Sequence, residues 1–191
     1  MSSARVYLAG PDVFLPDPVL FAGRKKALCA RHGFEGVFPL DAEIDLAGLS
    51  PHDAALRISR ANEALIRSCQ LVVAHLTPFR GPSADVGTAY EMGFARALGL
   101  PVFAYSNVSK DFATRIEESF PLRPRPSGGL EDEDHMQVES FEAADNLMIV
   151  GAVVDSGGAL VLHDAAPAEL YTDLAAFERC LAIAASRVRR G

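Results

Sequence analysis

Apolar positions along the chain gather into short runs separated by longer amphipathic stretches. Arg5 to Ala9, Gly36 to Leu40, Leu71 to His75, Val102 to Tyr105 and Ala159 to His163 are the runs. Each is bounded by glycine, proline or polar residues, and they predict five strands. Between them, Asp17 to Arg31 carries Leu20, Ala27 and Leu28 on a mixed but amphipathic face, with Gly33 as its stop. Ser50-Pro51-His52-Asp53 opens a second helix that runs to about Ser68: Ser50 as N-cap, Pro51 at N1, and Asp53 completing a capping-box pattern. Asp85 stands at the N-cap of a helix over Thr88 to Leu98, which Gly99-Leu100-Pro101 closes. Lys110 to Ser119 is a short helix. Asp145 is expected to cap a helix from Asn146 to about Asp155 that Gly157-Gly158 ends, and Tyr171 to Arg189 is a closing helix. Pro121 to Asp134, polar and rich in proline and glycine, is expected to be a loop and the least ordered part.

Strands that alternate with helices predict a three-layer α/β fold of flavodoxin type, with a five-stranded, mostly parallel sheet. A chain of 191 residues suits one such domain, 1–191, with a sizeable core and no internal repeat. No apolar run reaches the roughly 18–20 residues of a membrane span. The N-terminal stretch enters a strand without the layout of a signal peptide, so a cytoplasmic location is expected. Cys29, Cys69 and Cys180 lie far apart and read as free thiols of a reducing compartment. A net charge of -7 argues against a nucleic-acid surface, although a small nucleoside is compatible with it.

The informative stretch is Leu71 to Tyr105, a strand, loop, helix and strand. Its helix begins beyond the carboxyl end of a parallel strand, where open α/β sheets bind ligands. Glu91 lies in the first turns of that helix, at the edge of an apolar stripe made by Tyr90, Phe94 and Ala97. Such a carboxylate can be a nucleophile or a general base, or a surface glutamate near a helix N-terminus. Phosphate-binding GxxxxGK[ST], dinucleotide GxGxxG, HExxH and GxSxG patterns are absent, and the five histidines have no metal-ligand spacing. Polar residues at or after strand ends remain: Tyr7, His75, Asp85 and Glu91.

VYLAGPDVF at 6–14, AHLTPFRGPSADVGTAYEMGFARALGLPVFAY at 74–105 and DNLMI at 145–149 resemble the nucleoside 2-deoxyribosyltransferase family in order and spacing. The resemblance implies an enzyme that exchanges the base of a 2′-deoxynucleoside by double displacement, without a cofactor. It also implies homo-oligomers whose sites borrow residues from a neighbour. Glu91 would be the nucleophile, forming a deoxyribosyl ester by the retaining logic of glycosidases. Tyr7 would hold Glu91 in its attacking rotamer, and Asp85 would bind a sugar hydroxyl while capping its helix. Asn146 would reach the neighbouring subunit's site, with Met148 beside it. Where family members carry an aspartate facing the base, this chain has Asn62, which cannot donate a titratable proton; a purine already protonated at N7 would not need one. His75 and Arg80 are further possible base contacts. Phe14 could stack on the base or fill the core. TPFRGPSADVGTAYE is closer to the purine-favouring members, and nucleotide salvage is the role this implies.

The same fold and nucleophile also serve hydrolases of nucleosides or their 5′-monophosphates, for which Arg123 and Arg125 are available. A non-catalytic nucleoside-binding module is a third possibility, against which the joint presence of Tyr7, Asp85 and Glu91 argues.

Overall fold

In the computed structural model, which describes residues 3–188, Leu71–His75 is buried at every residue and forms the middle of the sheet. The strands are β1 (Ala4–Ala9), β2 (Phe34–Val37), β3 (Leu71–His75), β4 (Val102–Ser106), β5 (Arg123–Pro124), β6 (Leu130–Glu131), β7 (Gln137–Val138) and β8 (Leu160–Leu162). The helices are α1 (Pro18–Arg31), α2 (Pro51–Arg67), α3 (Val86–Ala97), α4 (Phe112–Ser119), α5 (Leu147–Asp155) and α6 (Ala175–Val188). Five strands pair in parallel in the order β2-β1-β3-β4-β8, the doubly wound flavodoxin-like order.

Residue alternation divides the core in two. Val6, Leu8, Val73, Phe103 and Tyr105 face α1 and α6, where Leu28, Cys29, Phe177 and Leu181 meet them. Tyr7, Ala9, Val72, Ala74 and Ala104 face the other way, against Ile66 of α2, Met92 and Ala95 of α3, and Val153 of α5. The second face carries the candidate chemistry. Cys29, Cys69 and Cys180 are buried free thiols, and burial pushes Cys29 and Cys180 up to about 12, so they are inert at neutral pH. No described helix is long and apolar enough to cross a membrane.

Several boundaries differ from expectation. The second strand spans 34–37 and not 36–40, because Pro39 has no N–H for the ladder and a 3-10 turn follows, closed by Asp41 accepting from the Phe38 amide at 2.8 Å. The stretch expected as a loop from Pro121 to Asp134 contributes β5 and β6 to a small antiparallel sheet, β5-β6-β7. Gly128 and Gly129, both at positive φ, make its first turn. The last helix starts at Ala175, whose amide donates to Asp173 at 2.7 Å; its expected end at Arg189 lies outside the described residues. At α5 the N-cap is Asn146, and Asp145 is buried with other partners.

Candidate active site

Tyr7 is buried on the α3 side of β1, and α3 lies across the ends of β1 and β3, so Glu91 meets it. The Tyr7 hydroxyl donates to Glu91 Oε1 at 2.5 Å. Burial, then the neighbouring carboxylate, push the Tyr7 phenol far up, so it stays a donor at all working pH. Burial also raises Glu91, from 4.5 to about 7; the Tyr7 hydrogen bond opposes that rise and the Asp85 charge adds to it. Oε1 is the oxygen this bond engages. Asp85 caps α3: its Oδ2 accepts from the Thr88 amide at 2.9 Å and the Thr88 hydroxyl at 3.0 Å. Its charge therefore stands beside the helix N-terminus, six residues or a little under two turns before Glu91.

The wall of α2 lies across from this pair. Glu63 accepts from the Tyr90 hydroxyl at 2.5 Å, and the Arg67 guanidinium lies 4.6 Å from the Phe94 ring centre. Asn62 is half-buried one turn before Ile66, on the helix side that faces the sheet. Above the strand ends, Phe14 and Phe79 stack at 5.4 Å, and Arg80, at a φ of 55°, lays its guanidinium 5.0 Å and 4.7 Å from their ring centres. Phe14 is 55% exposed, so it is no core residue. Phe79 was not singled out in the sequence, although it adjoins Arg80 in the PFRG turn.

His75 is elsewhere. The register pairs Tyr7 with Val72 and Ala9 with Ala74, so His75 points to the opposite face of the sheet from Glu91. It is fully buried, with Nδ1 2.6 Å from Asp12 Oδ1 and Nε2 2.7 Å from Thr77 Oγ1, and stacks on Tyr105 at 4.4 Å. The Thr77 oxygen also accepts the Asn107 amide at 2.9 Å. The Thr77 hydroxyl is then placed to donate to Nε2, leaving Nδ1–H to donate to Asp12. Both ring nitrogens are occupied, which removes His75 from contact with a base. Gly10 makes this approach possible, since a Cβ there would stand 2.8 Å from His75 Cβ.

Asn146 caps α5, with Oδ1 accepting from the Met148 amide at 3.0 Å and Nδ2 donating to Glu139 at 3.1 Å. Met148 is 72% exposed, which excludes the core role open to it in the sequence. Asn146 and Met148 line an open apolar groove of about 760 Å³ between α3 and α5, together with Met92 and Arg96. Glu91 projects from the opposite side of α3, so this groove is separate from the carboxylate. Arg123 and Arg125 are both engaged by Glu131, at 2.9 Å and 3.6 Å. Among the described residues no cluster of His, Cys, Asp and Glu could hold a metal ion.

A parallel sheet with a buried, phenol-braced carboxylate over it has the parts of an α/β enzyme that makes or cleaves glycosidic bonds, and the family match narrows this to nucleoside-modifying enzymes, transferases or glycosidases. The nucleoside 2-deoxyribosyltransferase pattern matches residues 6–148, and the chain belongs to that family. It is 30% identical over 165 residues to an uncharacterized protein of Schizosaccharomyces pombe, covering 80% of this chain and 78% of that one. A 2-deoxyribosyltransferase of Leishmania mexicana is similar in structure, with a TM-score of 0.58 and 29% identity over 76% of this chain and 85% of that one. A conserved protein of Enterococcus faecalis shares the fold alone, with a TM-score of 0.51 and 20% identity over 84% of this chain and 91% of that one.

Proposed function

We propose that this chain exchanges the base of a 2′-deoxynucleoside, favouring purines, through a deoxyribosyl ester on Glu91. The observation that carries the reading is the 2.5 Å bond from Tyr7 to one oxygen of Glu91. Oε2 attacks the anomeric carbon as the bond to the base nitrogen breaks, and the electron pair leaves with the base. A second base then attacks the same carbon through a ring nitrogen, yields its N–H proton to solvent and releases the Glu91 carboxylate, so configuration is retained. Asp85 binds a sugar hydroxyl with the oxygen its helix leaves free. Asn146 and Met148 serve the site of a neighbouring subunit, for which the exposed Met148 and the apolar α3–α5 groove supply a contact surface. The Phe14–Phe79–Arg80 cluster offers aromatic faces to the base, and Asn62 a neutral amide, which suits a purine that leaves protonated at N7. The arginines first considered for a 5′-phosphate are tied to Glu131, which favours a nucleoside over a nucleotide.

The test is chromatographic: deoxyinosine with and without adenine, following deoxyadenosine and hypoxanthine. Deoxyadenosine formed only with adenine is the expected result. Hypoxanthine released at an equal rate with no deoxyadenosine would make the protein a hydrolase, and absence of turnover with intact nucleoside binding would favour a binding module.

Tyr7→Phe separates the role of the phenol from that of the carboxylate. A hydrogen bond to a charged group contributes about 1.5–3 kcal/mol. Its loss destabilises ionised Glu91, and the acid limb of kcat/KM against pH is expected to move up by roughly one to two pH units. A rate profile with an unmoved limb would leave Tyr7 as packing only.

A further inference from the structure

The most heavily hydrogen-bonded buried cluster on the catalytic half of the molecule is centred on Arg115 of α4 and Asp145 ahead of α5. Arg115 is 6% exposed and Asp145 1%. The guanidinium donates to the carbonyls of Pro82 at 2.7 Å, Lys110 at 2.5 Å and Ala144 at 2.8 Å, and to Asp145 Oδ2 at 3.3 Å. The Asp145 carboxylate also accepts from the Ser83 hydroxyl, from the Ala84 amide at 3.0 Å and from the Asn146 amide at 2.8 Å. Those four donors fill the carboxylate's acceptor capacity, so Asp145 has none left for a ligand. A charge that is buried and fully engaged in this way acts by fixing what surrounds it.

What it fixes is specific. Ala84 precedes Asp85, the cap of the helix that bears Glu91. Asp145 precedes Asn146, the cap of α5. One ion pair thus joins the two short segments whose side chains address the sugar in the reading above, on which this inference rests. Neither segment is otherwise held to the other by a strand: Pro82 to Asp85 and Ala143 to Asn146 are irregular backbone. We propose that Arg115 and Asp145 are positioning residues for the sugar end of the site, setting the placement of Asp85 and Asn146 through the backbone at 82–84 and 144–146. Where Asn146 serves a neighbouring subunit, the same pair ties the sugar segment of one site to the residue given to the next.

Asp145→Asn keeps the size of the side chain but turns one acceptor oxygen into an amide that must face a donor, from the Ser83 and Asn146 side or from the Ala84 and Arg115 side. Arg115→Lys keeps the charge but cannot reach three carbonyls together. The experiment compares wild type, both variants and Ser83→Ala by calorimetric binding of deoxyinosine and of free adenine, with steady-state KM for each as donor and acceptor. Expected is a tenfold or larger rise in Kd and KM for deoxyinosine in Asp145→Asn and Arg115→Lys. A smaller rise is expected in Ser83→Ala, with adenine affinity changed less than twofold. A fall in kcat that tracks the folded fraction, with deoxyinosine affinity unchanged, would overturn the proposal and make the pair merely structural. If Asp145→Asn fails to fold, Arg115→Lys and Ser83→Ala carry the same donor-selective reading. A wild type that binds no deoxynucleoside would overturn the underlying functional reading as well, whereas wild-type binding with unaltered variants overturns the positioning role alone.

Discussion

Under the proposed double displacement, Glu91→Gln is expected to abolish base exchange, lowering kcat/KM by on the order of 10³-fold or more, and at the same time to make the protein more stable at alkaline pH. The first half follows from the role of the carboxylate: an amide has no charge with which to trap the anomeric carbon, and losing a nucleophile removes the whole double displacement. The second half follows from burial. Glu91 has an ordinary value of 4.5 and is raised to about 7 in the folded protein, so between those values the folded state binds more protons than the unfolded state. Stability then falls as pH rises through that window. The cost is absent below about 4.5 and fully developed above about 7, amounting to about 3 kcal/mol. Glutamine carries no such cost and still accepts the Tyr7 hydroxyl. Denaturant titrations of both proteins at pH 5 and pH 8, alongside exchange rates, check the pair of claims. The variant should gain more at pH 8 than at pH 5. An active variant, or one with no pH-dependent gain, would remove Glu91 from the centre of the site.

How far this site was legible in the sequence depends on whether a residue acts through local pattern or through long-range placement. Asp85 as a cap, Glu91 in the first turns of α3 and Tyr7 near the end of β1 all follow from strand and helix punctuation, whereas the meeting of Tyr7 with Glu91 came only from the family resemblance and is made by the packing of α3 on β1. His75 was not legible: the sequence offers it as a base contact, and only the register, with Tyr7 paired to Val72, shows that alternation turns it away from Glu91. Asp145 was read as a cap because an aspartate before an apolar helix usually is one; Asn146, one residue on, has the better geometry for the Met148 amide. Nothing local marks Asp145 as the partner of Arg115, 30 positions away. Lys25 is the extreme case. A lysine among Arg24 and Lys26 looks like a solvated face, yet its partner, Asp12, sits in the turn just beyond β1, against which α1 packs, and Tyr105 of β4 and Phe177 of α6 cover the ammonium, so both are buried.

That burial makes Lys25→Met the largest stability effect expected in the molecule. Lys25 Nζ lies 2.5 Å from Asp12 Oδ2, with both side chains 0% exposed, and stands 4.7 Å and 5.4 Å from the ring centres of Phe177 and Tyr105. Burial alone would raise the Asp12 carboxyl, but Lys25 and then His75 more than offset it and hold it well below its ordinary 3.8. Removing the cation leaves a buried carboxylate with only His75 to answer it, a loss of about 3–5 kcal/mol. The size of the loss measures an uncompensated charge, not the net worth of the pair. Adding Asp12→Asn to Lys25→Met should therefore recover most of it, because asparagine still accepts from His75 Nδ1–H. The pH dependence has a defined sign. A depressed folded value contributes stability above the unfolded 3.8 that is lost as pH falls through the folded value, so the wild type loses this contribution in acid and Lys25→Met has less of it to lose. Urea midpoints of the wild type, Lys25→Met and the double variant at pH 7 and pH 2 decide the matter, because the window of loss lies below the unfolded 3.8. A single variant within 1 kcal/mol of wild type at pH 7, or a double variant no better than the single, would mean that solvent reaches Asp12 and that the turn bearing Phe14 does not rest on a dry ion pair.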